Sequence, residues 1–298
     1  MNGKADSGRP RPSTSGTLII IGSREDKTGE RVILCEVVKR VRSGTLVVAT
    51  LASQVAGDLW REYKRIFHEL GVERIEHLEL HHRTEAEADA SPAVLTDVAV
   101  IFFTGGSQLR ITGLLGGTPL CQRIQELYWT RGITIAGTSA GASVLSATML
   151  VSGESGESHR VSEALHMAPG LGLIQDVIID QHFAQRGRIG RLLGAVGQNP
   201  RMLGVGIDED TAVIVEGDEE FRVIGSGAVY VLDGHGVSSS NISEEEAEQA
   251  ISIFDMRLHV MSRGDTFNLK TRRPLHPSAE EEGRDVRGEG EQKSAPSS

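Results

Sequence analysis

Apolar runs rich in β-branched residues recur along most of the chain, and each is bounded by glycine or aspartate. The clearest runs cover residues 17–22, 44–53, 97–106, 132–141, 176–183 and 211–217. Continuous runs of this kind are typical of strands buried on both faces, as in a parallel sheet covered by helices. The pattern therefore favours a layered fold with a sheet in the middle.

Helix-compatible stretches separate these runs. They span residues 54–70, 118–130, 140–150 and 186–196. A strand followed by a helix, repeated along the chain, indicates an α/β domain. Residues 221–234 contain apolar runs separated by a turn, which predict an antiparallel extension. We therefore expect an α/β fold with a mostly parallel sheet flanked by helices.

Polar segments at both ends frame one predicted domain. With 298 residues, 39% hydrophobic and 24% charged, the chain is long and apolar enough to bury a core. Residues 1–16 and 273–298 are rich in polar residues, proline and glycine, so they are predicted to be disordered tails. Residues 17–272 are predicted to form a single α/β catalytic domain.

Charge and cysteine content limit the partners to expect. A net charge of −10 argues against nucleic acid or an anionic membrane as the main partner. The sequence has no apolar stretch of membrane-spanning length and no apolar signal segment near its N-terminus. Cys35 and Cys121 can build neither a disulfide framework nor a metal site by their spacing. These features predict a cytoplasmic protein without a metal.

The sharpest motif is Gly137-Thr138-Ser139-Ala140-Gly141, which lies between an apolar run and a helix-compatible stretch. This is the G-x-S-x-G pattern of a nucleophile elbow in its required strand–turn–helix context. Small neighbours are needed because the nucleophile on so sharp a turn has a strained backbone. The motif predicts that Ser139 is a nucleophile, although an ordinary glycine-rich turn would have the same pattern.

A second glycine-rich loop follows another buried strand. Gly105 and Gly106 end the run at 97–106, and exposed backbone N–H groups at such a turn can stabilise an oxyanion. Gln108, just beyond, is predicted to contact a substrate amide or carboxylate. A tight turn with a polar helix cap is the alternative for this segment.

A serine nucleophile needs a base and an orienting acid. His182 ends the run at 176–183, and active groups gather at strand ends on that side of a parallel sheet. Asp208, Glu209 and Asp210 precede the run at 211–217 and offer one buried acid. The order serine, histidine, acid differs from that of the α/β-hydrolases and argues against that fold.

Four segments together resemble a known family. They are FTGGSQ (103–108), GTSAGAS (137–143), DQHFAQRGRIGRL (180–192) and GIDEDTA (206–212). In this order they resemble the serine peptidase family that contains the cyanophycinases and the aspartyl dipeptidase peptidase E, over about residues 17–270. The resemblance implies a class I glutamine-amidotransferase-like, flavodoxin-like sandwich. It also implies a triad of Ser139, His182 and Glu209.

The resemblance further implies an activity. Cyanophycin is a poly-aspartate whose β-carboxyls carry arginine, and the family cleaves its backbone to β-Asp-Arg dipeptides without a cofactor. Gly106 and Ala140 would then supply the oxyanion hole, and a homodimer is expected. The residues expected to bind substrate are Gln108, Asp180, Gln181, Arg186, Arg188 and Arg191. Ser107 stands where the family pattern has an acidic residue, so contacts near this position are expected to differ.

Two alternatives stay open at this point. One is an aspartyl or isoaspartyl dipeptidase of the same family. The other is a catalytically inactive binding module on an amidotransferase-like scaffold. A class I glutamine amidotransferase domain is disfavoured, because such domains carry cysteine at the elbow and this chain has Ser139.

Overall fold

Two sheets organise the chain. The structure is a computed structural model that describes residues 15–152, 165–217, 219–242 and 250–275. Within these ranges the larger sheet has nine strands and the smaller has four, and two further pairs of strands complete the described β-structure. None of the described helices has both the length and the apolar character needed to span a bilayer.

The described residues form seven α-helices and seventeen strands. The helices are α1 Val32–Val41, α2 Ala56–Glu69, α3 Arg83–Ala88, α4 Gln108–Leu115, α5 Pro119–Arg131, α6 Ala140–Ser143 and α7 Ile189–Gln198. The strands are β1 Leu18–Ile21, β2 Thr45–Ala49, β3 Ile75–Leu78, β4 Val98–Phe103, β5 Thr134–Thr138, β6 Thr148–Ser152, β7 His166–Pro169, β8 Val177–Gln181, β9 Leu203–Ile207, β10 Thr211–Glu216, β11 Glu220–Gly225, β12 Val229–Asp233, β13 Ser239–Ser240, β14 Ile253–Phe254, β15 Arg257–Met261, β16 Thr266–Asn268 and β17 Arg273–Leu275.

The central sheet has the order β17-β16-β11-β10-β1-β5-β4-β2-β3. The strands from β1 to β3 in this order pair in parallel. On the other side of β1 the pairing is antiparallel, through β10, β11, β16 and β17. The α/β class with its helix-flanked parallel sheet is therefore confirmed. The apolar runs predicted at 221–234 form β11, which is antiparallel to β10, and β12, which is antiparallel to β9 in the smaller sheet.

Both faces of the central sheet are buried, as the uninterrupted apolar runs predict. Leu18 and Ile20 of β1 belong to one hydrophobic core, and Ile19 and Ile21 belong to the core on the opposite face. This division follows from the alternation of side chains along a strand. Each such side chain contributes about 1.5–3 kcal/mol when fully buried, so β1 anchors both layers.

The smaller sheet has the order β15-β12-β9-β8, and it carries His182 just after β8. The histidine therefore follows a strand of the second sheet, not of the central sheet. Here β8 and β9 are parallel, and α7 packs on them through Leu192 and Val196. A Cβ on Gly206 of β9 would lie 2.5 Å from the ring of Phe183, so this strand needs glycine to fit beneath the ring.

Several predicted boundaries are wrong. The helix expected at 140–150 ends at Ser143, because the chain turns there into β6, which pairs with β7. The helix expected from residue 186 begins at Ile189, after a 3-10 turn. Residues 273–275 form β17 beside β16, so regular structure continues past residue 272. Residues 1–14 and 276–298 of the predicted tails lie outside the described residues.

Candidate active site

Ser139 lies at a sharp, strained turn between β5 and α6. Its φ of 54° and ψ of −115° are costly for a residue with a side chain. Close backbone contacts hold the turn: a Cβ on Gly137 would lie 2.2 Å from Gly141 O, and one on Gly141 would lie 2.3 Å from Phe103 O. The glycines of the motif are therefore required by packing, as the elbow pattern predicts.

Ser139, His182 and Glu209 come together in one chain of hydrogen bonds. Ser139 Oγ lies 3.2 Å from His182 Nε2, and His182 Nδ1 lies 2.7 Å from Glu209 Oε1. Because an ionised carboxylate only accepts, Nδ1 carries the proton and donates it to Glu209. Nε2 is thus left as the acceptor for the Ser139 hydroxyl, which is the arrangement a general base requires.

Only one of the three consecutive acids reaches the histidine. Asp208 accepts hydrogen bonds from the backbone N–H groups of Ala184 and Ala228. Asp210 accepts from the N–H of Asp26, at 2.8 Å, and also from a serine hydroxyl. Glu209 alone contacts His182, so the other two carboxylates brace the surrounding turns.

The surroundings of His182 favour its neutral form. Burial lowers the pKa of His182 below its usual 6.5, and the nearby charges of Arg186 and Arg188 lower it further. The hydrogen bond and charge of Glu209 act in the opposite direction. Since the pKa is lowered on balance, the imidazole is neutral at pH 7 and able to accept a proton.

The turn after β1 connects the separate segments of the site, and no motif in the sequence marks it. Three successive carbonyls accept backbone N–H groups: Ile21 O from Ser139 at 3.1 Å, Gly22 O from His182 at 2.9 Å and Ser23 O from Asp210 at 2.8 Å. In the fold, β1 separates the parallel and antiparallel parts of the sheet, where sites tend to form, but the strand order that places it there cannot be read from the sequence.

A buried carboxylate beneath the elbow also escaped prediction. Glu25 is 3% exposed and accepts hydrogen bonds from the hydroxyls of Tyr63 and Thr138, the latter at 2.7 Å. Burial and the neighbouring Glu25 raise the pKa of Tyr63 well above its usual value, so the tyrosine remains a donor. Glu25 thereby ties the residue before Ser139 to α2.

The loop between β4 and α4 lies beside the serine. A Cβ on Gly105 would be 3.3 Å from the Cβ of Ser139. Gly106 has a φ of 142° and packs so closely on Ala52 that an added Cβ would lie 2.3 Å from its carbonyl oxygen. Ala140 begins α6, and the first N–H groups of a helix have no partner within it. Gly105 and Ala140 thus border the serine, and Gly106 follows Gly105 in the loop; the oxyanion role of Gly106 and Ala140 stays a prediction.

The predicted contact residue Gln108 is committed elsewhere. Its side chain is buried, and Nε2 donates to Leu150 O at 2.9 Å. This bond holds α4 against β6. The amide nitrogen of Gln108 is therefore bound within the protein. The predicted contact between Gln108 and substrate stays a prediction.

Four other residues expected to bind substrate form a buried cluster. Asp180, 1% exposed, pairs with Arg188 at 3.2 Å and with Arg191 through Nε at 2.7 Å. Arg188 also donates to the side chain of Gln181 at 3.1 Å. Burial lowers the pKa of Arg188 to about 10, which leaves it charged. These side chains pair with one another within the protein, and the expectation that they bind substrate stays a prediction.

Arg186 is the exposed member of the predicted arginine set. It lies close enough to His182 to lower the pKa of the imidazole. A second exposed arginine, not predicted, lies on the other side: Arg24 Nε is 3.4 Å from Glu209 Oε1, and its side chain is 75% exposed. Two guanidinium groups therefore flank the triad, and such groups bind carboxylates.

Other candidate ligands and bases do not join this site. His77 lies in β3, where its Nε2 is 2.8 Å from Thr50 Oγ1. Among the residues that the structure describes, no group of three or more histidine, cysteine or acidic side chains is placed to hold a metal ion.

Fold and site together define a class of protein. A hydroxyl, an imidazole and a carboxylate in hydrogen-bonded sequence at a strand–helix elbow are the arrangement of serine hydrolases. The model of peptidase family S51 matches residues 22–223, and the chain belongs to this family of serine-type peptidases.

Curated relatives and a solved structure agree with this assignment. The chain is 38% identical over 263 residues to a cyanophycinase from Synechococcus elongatus, covering 88% of this chain and 81% of the relative. It is 37% identical over 264 residues to a cyanophycinase from Geminocystis herdmanii, covering 87% and 96%. A peptidase from an acI-B1 actinobacterium shares the fold, with a TM-score of 0.62, 21% identity and coverage of 87% of this chain and 99% of that one.

Proposed function

We propose that this protein is a cyanophycinase, a serine-type exopeptidase that hydrolyses cyanophycin to β-Asp-Arg dipeptides. The observation that carries the proposal is the hydrogen-bonded sequence Ser139–His182–Glu209 in a chain whose curated relatives are cyanophycinases. The geometry supports the hydrolytic chemistry, and the relatives support the choice of polymer.

The first step is acylation of Ser139. His182 Nε2 accepts the hydroxyl proton while Oγ attacks the carbonyl carbon of a backbone aspartyl unit. Glu209 stabilises the imidazolium that forms. The backbone N–H groups of Gly106 and Ala140 are proposed to hold the oxyanion, and the loss of one such donor typically costs about 10²–10³ in rate. His182 then protonates the leaving nitrogen, and the C–N bond breaks.

The second step releases the acyl group. Water attacks the ester carbonyl after giving a proton to His182 Nε2, and a second tetrahedral oxyanion forms at the same N–H groups. The C–Oγ bond breaks, and the proton on His182 returns to Ser139. Ser139 and His182 then have the same protonation states as before the reaction, so this mechanism uses no cofactor.

Substrate carboxylates are proposed to bind Arg186. Its exposed guanidinium lies near His182, and each substrate unit carries a free carboxylate on its arginine group. The buried cluster of Asp180, Gln181, Arg188 and Arg191 is proposed to support Arg186 from beneath by fixing the start of α7. Its two arginines and one aspartate also add positive charge to this side of the site.

Product analysis after incubation with purified cyanophycin tests the proposal. We expect release of β-Asp-Arg by the wild-type protein and none above background by Ser139→Ala. Cleavage of small Asp-X peptides without cleavage of cyanophycin would instead indicate an aspartyl dipeptidase. Failure of the folded wild-type protein to react with a serine-directed phosphonate would indicate an inactive binding module.

A homodimer is proposed on the basis of an exposed edge strand. β15 forms one edge of the smaller sheet, and its alternate residues Leu258 and Val260 are 50% and 61% exposed. An apolar edge strand invites pairing with a second copy unless it is covered. Light scattering coupled to size-exclusion chromatography should give twice the 32.1 kDa chain mass, and Val260→Asp should shift it to the monomer.

A reducing compartment such as the cytoplasm is proposed from the thiols. Cys35 and Cys121 both lie within the described residues and both are free. Burial raises the pKa of Cys121, which keeps it a thiol. Cell fractionation that recovers the protein from the cytoplasmic fraction would support this location.

A further inference from the structure

A cavity lies beside the candidate oxyanion loop, on the side away from His182. It has a volume of about 280 Å³ and lies beyond the carboxyl ends of β2 and β3. Its lining includes Ser53, Asp58, Glu79, His81 and Arg110, and we call it the β2–β3 pocket. Its volume suits one amino-acid-sized group, since pockets for larger ligands begin at roughly 300 Å³.

The pocket is physically continuous with the loop beside Ser139. Ser107 N donates to Ala52 O at 2.9 Å, and Gly106 packs directly on the same residue. Ser53, the next residue, lines the pocket. Arg110 extends from α4, the helix that follows the loop. A substrate bound at Ser139 thus has the pocket as its neighbour across the turn of residues 50–53.

The acidic side of the pocket lacks strong internal partners. The ring nitrogens nearest Glu79 are His77 Nδ1 at 3.8 Å and His81 Nε2 at 4.0 Å. Asp58 pairs with Arg61 on the surface of α2, where both side chains are largely exposed. Such exposed pairs are weak and can exchange partners. Both carboxylates are therefore available to an incoming cation.

The pocket also carries a cation of its own. Arg110 is exposed, and within the described part of the chain no ion pair with a carboxylate is formed by it. A pocket with two carboxylates and one guanidinium is complementary to a ligand that bears one guanidinium and one carboxylate. The arginine group on each cyanophycin unit has this pair of charges.

The distances fit such a ligand. β5 and β2 are separated by β4 alone, so their ends are two strand spacings apart, about 10 Å. From the aspartyl Cα to the guanidinium carbon, an extended arginine-bearing unit spans about 11 Å. An aspartyl unit at Ser139 can therefore place its arginine group in the pocket.

We propose that the β2–β3 pocket binds the arginine group of a substrate unit held at Ser139, with Asp58 and Glu79 facing the guanidinium and Arg110 facing the carboxylate of that unit, while Arg186 meets the carboxylate of a neighbouring unit. This inference rests on the proposed cyanophycinase function. It assigns the recognition of arginine to residues outside the motifs at 103–108, 180–192 and 206–212. Arg110 lies two residues after the end of the motif at 103–108.

Kinetics on cyanophycin provide the first test, with Glu79→Gln and Arg110→Gln as variants. We expect each to raise KM about tenfold with a smaller change in kcat, which corresponds to about 1.4 kcal/mol of lost binding. The matched control is Glu76→Gln, which removes an exposed carboxylate from β3, the strand just before Glu79, outside the pocket and is expected to keep the wild-type KM. A wild-type KM in both pocket variants would overturn the proposal.

Calorimetry with small ligands gives a test that does not depend on hydrolysis. L-arginine is expected to bind the wild-type protein more tightly than agmatine, which has the guanidinium but no carboxylate. Arg110→Gln should abolish this preference, and Glu79→Gln should weaken both ligands. If L-arginine does not bind, or binds all variants equally, the pocket proposal fails. If it binds as expected while cyanophycin is not cleaved, the proposed function fails and the pocket stands.

Discussion

The backbone N–H of His182 donates to the carbonyl of Gly22, 2.9 Å away, and this bond joins the two sheets at the site. His182 follows a strand of the smaller sheet, whereas Gly22 follows β1 of the central sheet, next to the strand that carries Ser139. The spacing of hydroxyl and imidazole is therefore set where the two sheets meet.

Gly22→Ala should disrupt this junction. A Cβ at this position would lie 2.0 Å from Asp208 O, so the turn after β1 or the segment carrying Glu209 must move. We expect a loss of about 1–3 kcal/mol in the free energy of unfolding, with slower labelling of Ser139 by a serine-directed phosphonate. Thermal or denaturant unfolding together with the labelling rate measures both effects.

Gly113→Ala is the matched control for that substitution. Gly113 lies within α4, and a Cβ there would meet no atom within 4 Å. Alanine is favoured over glycine inside a helix by roughly 0.5–1 kcal/mol, so this variant should be at least as stable as the wild type. Equal stability of the two alanine variants would contradict the role assigned to Gly22.

The three consecutive acids should differ sharply in their effect on activity. Glu209→Gln removes the carboxylate that fixes the His182 tautomer, and analogous changes in serine peptidases lower kcat by about 10⁴. Asp208→Asn and Asp210→Asn alter bonds that brace neighbouring turns, so they should lower stability more than kcat. Steady-state kinetics alongside thermal unfolding separate these outcomes. A larger kcat loss in Asp208→Asn than in Glu209→Gln would refute the assignment of the acid.

The local parts of the site were predictable from the sequence. Gly137, Ser139 and Gly141 act through contacts within a few residues, so their spacing alone indicates the elbow. The choice among Asp208, Glu209 and Asp210 was different, because only the folded turns decide which carboxylate faces His182. Without the family resemblance, residue type and order left that choice open.

The division into two sheets was not predictable by the same reasoning. β9 was not recognised as a strand, since Gly204 and Gly206 interrupt its apolar pattern. Those glycines are required by the side chains of Phe183, Leu192 and Val196 that pack on them. When the residues of a strand are selected by side chains elsewhere in the chain, the strand's own sequence does not predict it. The pairing of strands into sheets also depends on residues that are far apart in the sequence.

The pH dependence of Ser139 reactivity should respond to Arg186. In the wild type the pKa of His182 is lowered by burial and by the arginines, so the rate should fall at a pH below 6.5, where the imidazole becomes protonated. Arg186→Gln removes one positive charge that disfavours the imidazolium. The pKa of His182 should then rise, and the acidic limb of the profile should move to higher pH.

The rate of phosphonate labelling against pH is the appropriate measurement here, because an uncharged reagent avoids any effect of Arg186 on substrate binding. Arg186 is exposed, so its influence should shrink as salt is added. Arg186→Lys, which keeps the charge, is the control and should retain the wild-type profile. A shift of the acidic limb to lower pH in Arg186→Gln would contradict the electrostatic assignment.

Thr138→Val tests the buried carboxylate beneath the elbow. The substitution keeps the shape of the side chain but removes the hydroxyl that donates to Glu25, leaving Tyr63 as its remaining hydroxyl donor among the described residues. An unsatisfied buried acceptor costs about 1–3 kcal/mol, and the strained Ser139 backbone loses one of its supports. We expect lower stability and slower labelling of Ser139. Thr138→Ser retains the hydroxyl and should recover most of the stability and of the labelling rate. Equal losses in the two variants would show that packing of the threonine methyl group, not the bond to Glu25, supports the elbow.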